Sequence, residues 1–431
     1  MFFQKDIETM PRAALKELQL ERLKAAVGRA LATPLYQKKF AEAGITPEKI
    51  KSLDDLKHLP FTYKADFRDN YPFGMFAVPM KDIVRIHASS GTTGKPTVVG
   101  YTKGDLDVWS DVVARLAVAA GATADDVAQI SFGYGLFTGA LGLHYGLEKI
   151  GATVIPISSG NTEKQLMLMQ DFGTTLLVAT PTYAMYLSES AKEAGVLDKL
   201  KLRIGLFGSE GCTPGMRARI EENFGITATD NYGMSELMGP GVSGECIERN
   251  GLHIAEDHFL AEIIDPKTGE VLPEGETGEL VVTPLTKEAL PVIRYRTGDI
   301  TSLNTDVCKC GRTHARMAKV TARSDDMLII KGVNVFPSQI ETVLISIDHI
   351  SPHYQLEVRR VNFSDHLTVV VELADGSLLE RFQELEALRA EIHHKLRTVL
   401  GIDAKIKLVS PKTIERFQGK AKRVIDLRDK T

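Results

Sequence analysis

Nine residues, Ser89-Ser90-Gly91-Thr92-Thr93-Gly94-Lys95-Pro96-Thr97, carry the densest chemical signal in the chain. They follow the apolar stretch Ile83-Val84-Arg85-Ile86, which predicts a strand. Glycine lets a backbone approach an anion closely and adopt φ > 0. Free backbone N–H groups and Ser/Thr hydroxyls then cradle phosphate oxygens, and Lys95 adds charge. The run is not a P-loop, which needs Gly five residues before Gly94 and Ser or Thr after the lysine; Ser89 and Pro96 stand there.

Further runs have both a chemical and a plain reading. In Asp230-Asn231-Tyr232-Gly233-Met234-Ser235-Glu236, a Tyr ring can stack on a purine, and Glu236 is a hard oxygen ligand suited to Mg²⁺ between phosphates; the plain reading is a surface turn. In Tyr295-Arg296-Thr297-Gly298-Asp299, one carboxylate can accept from two vicinal ribose hydroxyls, or serve a turn. Arg323-Ser324-Asp325-Asp326 is a charged turn before an apolar stretch, and Gln418-Gly419-Lys420-Ala421-Lys422-Arg423 is a basic run of the kind that is usually solvated. The glycines of Phe132-Gly133-Tyr134-Gly135-Leu136-Phe137-Thr138-Gly139 form no dinucleotide fingerprint, because Thr138 stands where the third glycine is needed. Small residues beside Tyr134 and Phe137 would form a flat slot for an aromatic ring, or those rings would simply pack in the core. Cys308-Lys309-Cys310, with Cys246 and His253 upstream, offers three thiolates and one imidazole, the donor set of a closed structural zinc site; the alternative is unligated buried cysteine. His87 reads as a packed group and Cys212 as a buried thiol.

The elements that must position these residues follow from periodicity. Leu15, Leu18, Leu20, Leu23, Ala26, Val27 and Leu31 recur at helical spacing over 11–44, punctuated by Pro34 and Gly44. Buried strands at 153–157, 175–179 and 202–207 alternate with helical patterns at 162–171, 182–194 and 214–224, which predicts a parallel sheet with crossover helices. After about 250, turn clusters separate short strands such as 279–282, a β-rich texture. From Asp325 a smaller α+β unit is expected: strand alternation at Leu367, Val369, Val371 and Leu373, a helix over 382–399 closed by Gly401, and a strand over 404–409. The fold class is therefore α/β, with a large N-terminal domain (1–324) of mixed and parallel sheet containing a β-rich subdomain, and a small α+β domain (325–431), which the resemblance given below implies is mobile. The chain has 431 residues, 43% apolar, with 52 basic against 56 acidic side chains and a net charge of −4, so it has no broad attraction for nucleic acid or anionic membrane. No window reaches the ~18 uninterrupted apolar residues of a spanning helix. Four cysteines in this length do not make a disulfide scaffold, so a cytoplasmic enzyme is expected.

Taken in order, the runs at 89–97, 230–236, 295–299, 323–332 and 418–423 resemble the signature segments of the adenylate-forming superfamily, which joins carboxylic acids to AMP. The resemblance implies that Ser89, Ser90, Gly91, Thr92, Thr93, Gly94 and Lys95 hold ATP phosphates and that Tyr232 stacks on adenine. It adds Asp230, Asn231, Gly233, Ser209 and Glu210 around the nucleotide, Ser235 near the phosphates, and Glu236 on Mg²⁺. Asp299 would bind ribose, Arg323 would reach the nucleotide, Asp325 would be the hinge, and the Gly332 loop would line a coenzyme A tunnel. Lys420, with Lys422 as the alternative, would bridge acid and phosphate oxygens. Phe132 to Gly139, Tyr71 to Phe76, Asp257-His258-Phe259 and the short overall length further resemble the phenylacetate–coenzyme A ligase family. That implies an aryl acid held by Tyr134, Gly135, Phe137 and Gly208; Cys212 departs from the bulkier aromatic such a family implies nearby. The expected reaction is ATP-dependent ligation of an aryl-acetic acid to coenzyme A through an acyl-AMP, by a possible homodimer. The alternatives are another aryl acid, or transfer to a different acceptor as in an archaeal-type cofactor synthetase. A nucleotide-sensing protein derived from a ligase would be expected to have lost Lys420, Glu236 or Asp299, and all three are present.

Overall fold

The computed structural model describes residues 1–431 except 90–95, 324–327, 331–332, 362–363, 417–422 and 429–431. Two helices, Arg12–Ala30 and Pro34–Ala43, occupy the periodic N-terminal stretch; Pro34 opens the second and Gly44, at φ 64°, closes it in the left-handed conformation. Strands β1 (Arg85–Ala88) and β2 (Val98–Tyr101) form an antiparallel hairpin. The first strand begins two residues later than its apolar pattern, because a 3₁₀ turn over Met80–Asp82 precedes it and Val84 is exposed.

Five strands, β3 (Val127–Ile130), β4 (Thr153–Ile155), β5 (Leu176–Ala179), β6 (Ile204–Gly208) and β7 (Thr227–Met234), are parallel neighbours in the order β4-β3-β5-β6-β7. The central strand β5 is buried at every position, as a strand covered on both faces must be, and its sequence is a continuous apolar run. The crossover helices Pro181–Glu193 and Pro214–Phe224 start where the sequence caps them. The Thr180 hydroxyl accepts from the Tyr183 N–H at 3.2 Å, that of Thr213 from the Met216 N–H at 3.3 Å, and each is followed by proline at the first helical position.

The antiparallel strands β8 (Gly239–Glu245) and β9 (Leu252–Ile254) continue the sheet beyond β7. Strands β10 (Phe259–Ile264), β11 (Gly278–Pro284) and β12 (Tyr295–Thr301) leave it for a second sheet. The chain then returns: β13 (Leu303–Asn304) and β14 (Arg316–Met317) pair onto β9 and close a nine-stranded sheet, while β15 (Ala322–Arg323) pairs with β12. The β-rich stretch is thus divided between two sheets. A separate hydrophobic cluster fills the C-terminal unit. There β16 (Leu328–Ile330) and β17 (Val333–Val335) form a ribbon, and β18 (Ile350–Val361), β19 (Ser364–Leu373), β20 (Lys405–Val409) and β21 (Val424–Asp426) form a sheet ordered β20-β19-β18-β21 beside helices Pro337–Ile345 and Phe382–Leu400.

Charged side chains fasten the N-terminal helices to this body. Asp257, 1% exposed, accepts two hydrogen bonds from the Arg115 guanidinium at 2.7 and 3.1 Å, with His258 at 3.1 Å and Arg22 at 3.6 Å. Burial opposes ionisation of Asp257, but the His258 hydrogen bond and the Arg115 charge outweigh it and hold the carboxyl far below the usual range. A depressed carboxylate stabilises the fold above its unfolded pKa of about 3.9 and ceases to as pH falls through the folded value, so its contribution is complete at neutral pH. Asp257→Ala is expected to lower stability by ~3–5 kcal/mol, because it strands a buried guanidinium. Urea unfolding at pH 7 measures this; a loss under about 1 kcal/mol, the surface-pair range, would contradict it.

Candidate active site

Residues predicted to act together lie just past the carboxyl ends of the parallel strands, where open α/β sheets bind ligands. Tyr134 to Phe137 follow β3, Ser209 and Glu210 follow β6, and Ser235 and Glu236 follow β7. The approach of β6 to β7 is close: a Cβ on Gly208 would lie 2.7 Å from the Asn231 carbonyl oxygen, and the Asn231 amide donates to the Phe207 carbonyl at 2.8 Å. Ser209 adopts φ 73°, a left-handed conformation that costs a non-glycine residue energy and is concentrated at functional turns. Glu210 accepts from the Thr182 backbone N–H at 2.8 Å, at the start of the helix Pro181–Glu193. A Cβ on Gly233 would fall 1.8 Å from the Gly239 carbonyl oxygen, so only glycine permits the β7–β8 turn that carries Glu236.

Tyr232 and Asp299, 67 residues apart, meet here: the Tyr232 hydroxyl donates to the Asp299 carboxylate at 2.6 Å. Asp299 lies opposite Arg323 in the β12–β15 register, which brings the backbone of a third predicted residue alongside. The hydroxyls of Ser235 and Thr138 are 3.1 Å apart, and Glu236 is buried. Ser89 closes the base of the β1–β2 loop; its N–H donates to the Thr97 carbonyl and its Oγ accepts the Thr97 N–H, both at 2.9 Å. Asp230 is differently placed. Its carboxylate is taken by Arg217 at 2.6 Å and Lys319 at 2.8 Å, and Arg217 also pairs with buried Glu245, so Asp230 sits in a protein ion cluster. Ser90, Gly91, Thr92, Thr93, Gly94, Lys95, Asp325, Gly332, Lys420 and Lys422 lie outside the described residues.

In the segment after β3, Tyr134 is half-buried and Phe137 exposed. Gly135 takes φ 123°, which only glycine adopts easily. The Tyr134 hydroxyl is 2.9 Å from His144 Nδ1, whose Nε2 is 3.0 Å from Glu148, a Tyr–His–Glu chain that sequence reading missed although His144 and Glu148 stand four apart. Burial raises the Tyr134 phenol above its ordinary value, so it stays protonated at neutral pH. His87 is packed as expected, with Nδ1 3.0 Å from the Leu136 carbonyl oxygen and its ring edge-on to Tyr101 and Trp109. Burial pushes the Cys212 thiol up to about 12, an inert thiol.

The four donors predicted for zinc converge. Cys246 Sγ and Cys308 Sγ are 3.8 Å apart, Cys310 Sγ and His253 Nε2 are 3.5 Å apart, and all four donor atoms lie within 4.8 Å of one another. Zinc bonds of about 2.3 Å to sulfur and about 2.0 Å to nitrogen, arranged tetrahedrally, separate ligand atoms by about 3.5–3.8 Å, so the donor set fits the ion. His253 Nδ1 faces the His314 carbonyl oxygen at 3.4 Å, which leaves Nε2 directed at the other donors. Three of the four ligands are buried, at the junction where the chain returns to the large sheet.

A paired tyrosine and aspartate and a buried glutamate at the carboxyl ends of a parallel sheet are arranged as an adenylate-forming enzyme requires. The AMP-binding enzyme family matches residues 15–284, and the AMP-binding enzyme C-terminal domain matches residues 332–428. The chain belongs to this family and, within it, groups with the phenylacetate–coenzyme A ligases. It is 52% identical over 433 residues to such a ligase from Aromatoleum evansii (99% of this chain, 98% of that protein), and 48% identical over 444 residues to one from Thermus thermophilus (99% and 100%). A crystal structure of 2-hydroxyisobutyryl-CoA ligase in the postadenylation state with an acyl-AMP is 30% identical, covers 99% of this chain and 92% of that one, and superposes with a TM-score of 0.92. The same ligase in its thioesterification state, 31% identical with 99% and 93% covered, gives 0.74. This chain therefore superposes better on the postadenylation arrangement. Among the described residues, no helix is long and apolar enough to cross a membrane.

Proposed function

We propose that this protein activates phenylacetate with ATP as the acyl-AMP, releasing pyrophosphate, and transfers the acyl group to coenzyme A, releasing AMP. The observation that carries the reading is the Tyr232–Asp299 contact beside Glu236, in a chain half identical to phenylacetate–coenzyme A ligases. Tyr232 presents its ring to adenine, and Asp299 accepts from the ribose hydroxyls. Ser89 and the 90–95 segment surround the phosphates, with Ser235 near them. Glu236 would hold Mg²⁺, which would offset phosphate charge when bound. Tyr134, Gly135, Phe137 and Gly208 hold the aryl ring. Residues 1–324 form the adenylating body, and 325–431 turn about Asp325. That movement carries Lys420 from the phosphate and carboxyl oxygens and brings the Gly332 loop to the thiol path, so each half-reaction has its own arrangement.

A panel of acids scored by pyrophosphate and AMP release tests the reading. Phenylacetate is expected to give the highest kcat/KM among hydroxyphenylacetate, indoleacetate and benzoate, with AMP release dependent on coenzyme A. AMP release unaffected by coenzyme A would contradict the acceptor, and a preference for benzoate would contradict the acid.

We further propose that Cys246, His253, Cys308 and Cys310 hold one structural zinc that ties the returning chain to the large sheet. Protein purified without chelator is expected to contain about one zinc per chain by elemental analysis, and Cys308→Ala to lose it together with several degrees of Tm. Zinc near zero, with four titratable thiols in the native fold, would rule the site out.

A further inference from the structure

Lys287 is completely buried. Its nearest partners among the described residues are uncharged: Nζ lies 3.3 Å from the centroid of the Tyr101 ring and 3.9 Å from Met238 Sδ. Asp105 acts on it only as a neighbouring charge. The Asp105 oxygens are engaged by the backbone N–H groups of Glu288, Ala289 and Thr102 at 2.7–3.0 Å. Burial lowers the ammonium to about 8. A buried cation without a carboxylate in contact lowers stability, and an apolar side chain of similar volume would pack at no such cost. Stability therefore does not account for the lysine.

Its partners lead to the nucleotide side of the molecule. The Tyr101 hydroxyl donates to the Met238 carbonyl at 2.9 Å. Trp109, stacked on Tyr101 with centroids 4.9 Å apart, donates to the Pro240 carbonyl at 2.8 Å. The two rings thus support the backbone immediately after Glu236, whose charge is felt at the Tyr101 hydroxyl. Tyr101 also belongs to β2, the strand that leaves the phosphate loop. One ammonium therefore touches both the strand that follows the 90–95 segment and the support of the Glu236 turn.

We propose that Lys287 is a positioning residue for the magnesium–nucleotide site: its ammonium holds Tyr101 and Met238 in place and sets a fixed positive charge behind the Glu236 turn. The proposal rests on the reading of Glu236 as the metal-binding residue. The groups facing Lys287 are Asp105, the rings of Tyr101 and His87 with Arg85 beyond them, Glu236 through Tyr101, and Arg29, which donates to the Lys287 carbonyl at 3.2 Å. Burial keeps the Tyr101 hydroxyl well above 10 and the His87 imidazole below 6.5, so neither titrates where the lysine does.

Three readouts on Lys287→Met test it. KM for MgATP is expected to rise about fivefold to tenfold, the scale of one partly screened charge interaction, with kcat changed less than about twofold. Tm at pH 7 is expected to stay level or rise. Wild-type kcat/KM for MgATP is expected to fall as pH rises through about 8, with that limb missing from the variant. An unchanged KM, or Tm and kcat falling together, would overturn the proposal, since a merely structural lysine gives that pattern. Should the variant not fold, the wild-type profile decides: a limb near pH 8 supports the proposal and a flat profile overturns it. Glu236→Gln in the same assays separates the two readings. If it leaves the magnesium dependence of KM intact, the assignment of Glu236 fails, whatever Lys287→Met does.

Discussion

Replacing Lys420 with alanine is expected to slow adenylate formation by at least ~10²-fold, on the scale of losing one preorganised charge stabiliser. Thioester formation from supplied phenylacetyl-adenylate is expected to survive within a few-fold. The split follows from the chemistry of the two steps. Negative charge accumulates on phosphate oxygens as the carboxylate attacks the α-phosphate, and an ammonium over those oxygens favours that transition state. Thiol attack on the acyl carbon places its developing charge elsewhere and, under the proposed domain turn, follows withdrawal of Lys420. Pyrophosphate release measures the first step, and consumption of synthetic acyl-adenylate with coenzyme A measures the second. Equal loss in both would refute the domain-turning assignment of Lys420. Loss only after Lys422→Ala would move the role to the neighbouring lysine.

Asp299→Ala is expected to raise KM for ATP by ~10–10²-fold, because a carboxylate hydrogen bond contributes about 1.5–3 kcal/mol. The same change removes the carboxylate to which the Tyr232 hydroxyl donates at 2.6 Å. Tyr232→Phe separates the two effects. It keeps the ring for stacking and removes only the hydroxyl, so it is expected to raise KM by no more than about fivefold. Should both variants bind ATP as the wild type does, measured by titration as well as by KM, the ribose role of Asp299 would be lost. Were Tyr232→Phe as damaging as Asp299→Ala, the hydroxyl rather than the carboxylate would be the recognition element.

Local signals account for much of this architecture. Threonine caps followed by proline mark the starts of two crossover helices, and Gly44, Gly225 and Gly401 end helices at positive φ. The run 175–179 reads as a buried strand, and Leu176–Ala179 is one. The clustering of three cysteines with His253 is anticipated from residue type, and the nearness of Tyr232 to Asp299 from the resemblance, which assigns both to one nucleotide. Long-range pairing is less legible. Nothing in the short apolar segments of β13 and β14 says that they return to the large sheet while β10–β12 form another, since two-residue strands carry no usable period. The ion pairs of Asp230 with Arg217 and Lys319, which come from distant elements, carry no signal in the local sequence. Lys287 stands in the polar stretch Thr286-Lys287-Glu288, which carries no signal of burial; only the tertiary structure places its ammonium against Tyr101.

The central claim is that segments far apart in the chain build one nucleotide site at the carboxyl edge of the parallel sheet. A crystal soaked with a non-hydrolysable phenylacetyl-adenylate mimic tests it most directly. The adenine ring should lie against Tyr232, with both ribose hydroxyls within hydrogen-bond distance of Asp299 and the phenyl ring between Tyr134 and Gly208. Density for the base and sugar elsewhere on the molecule would contradict the account.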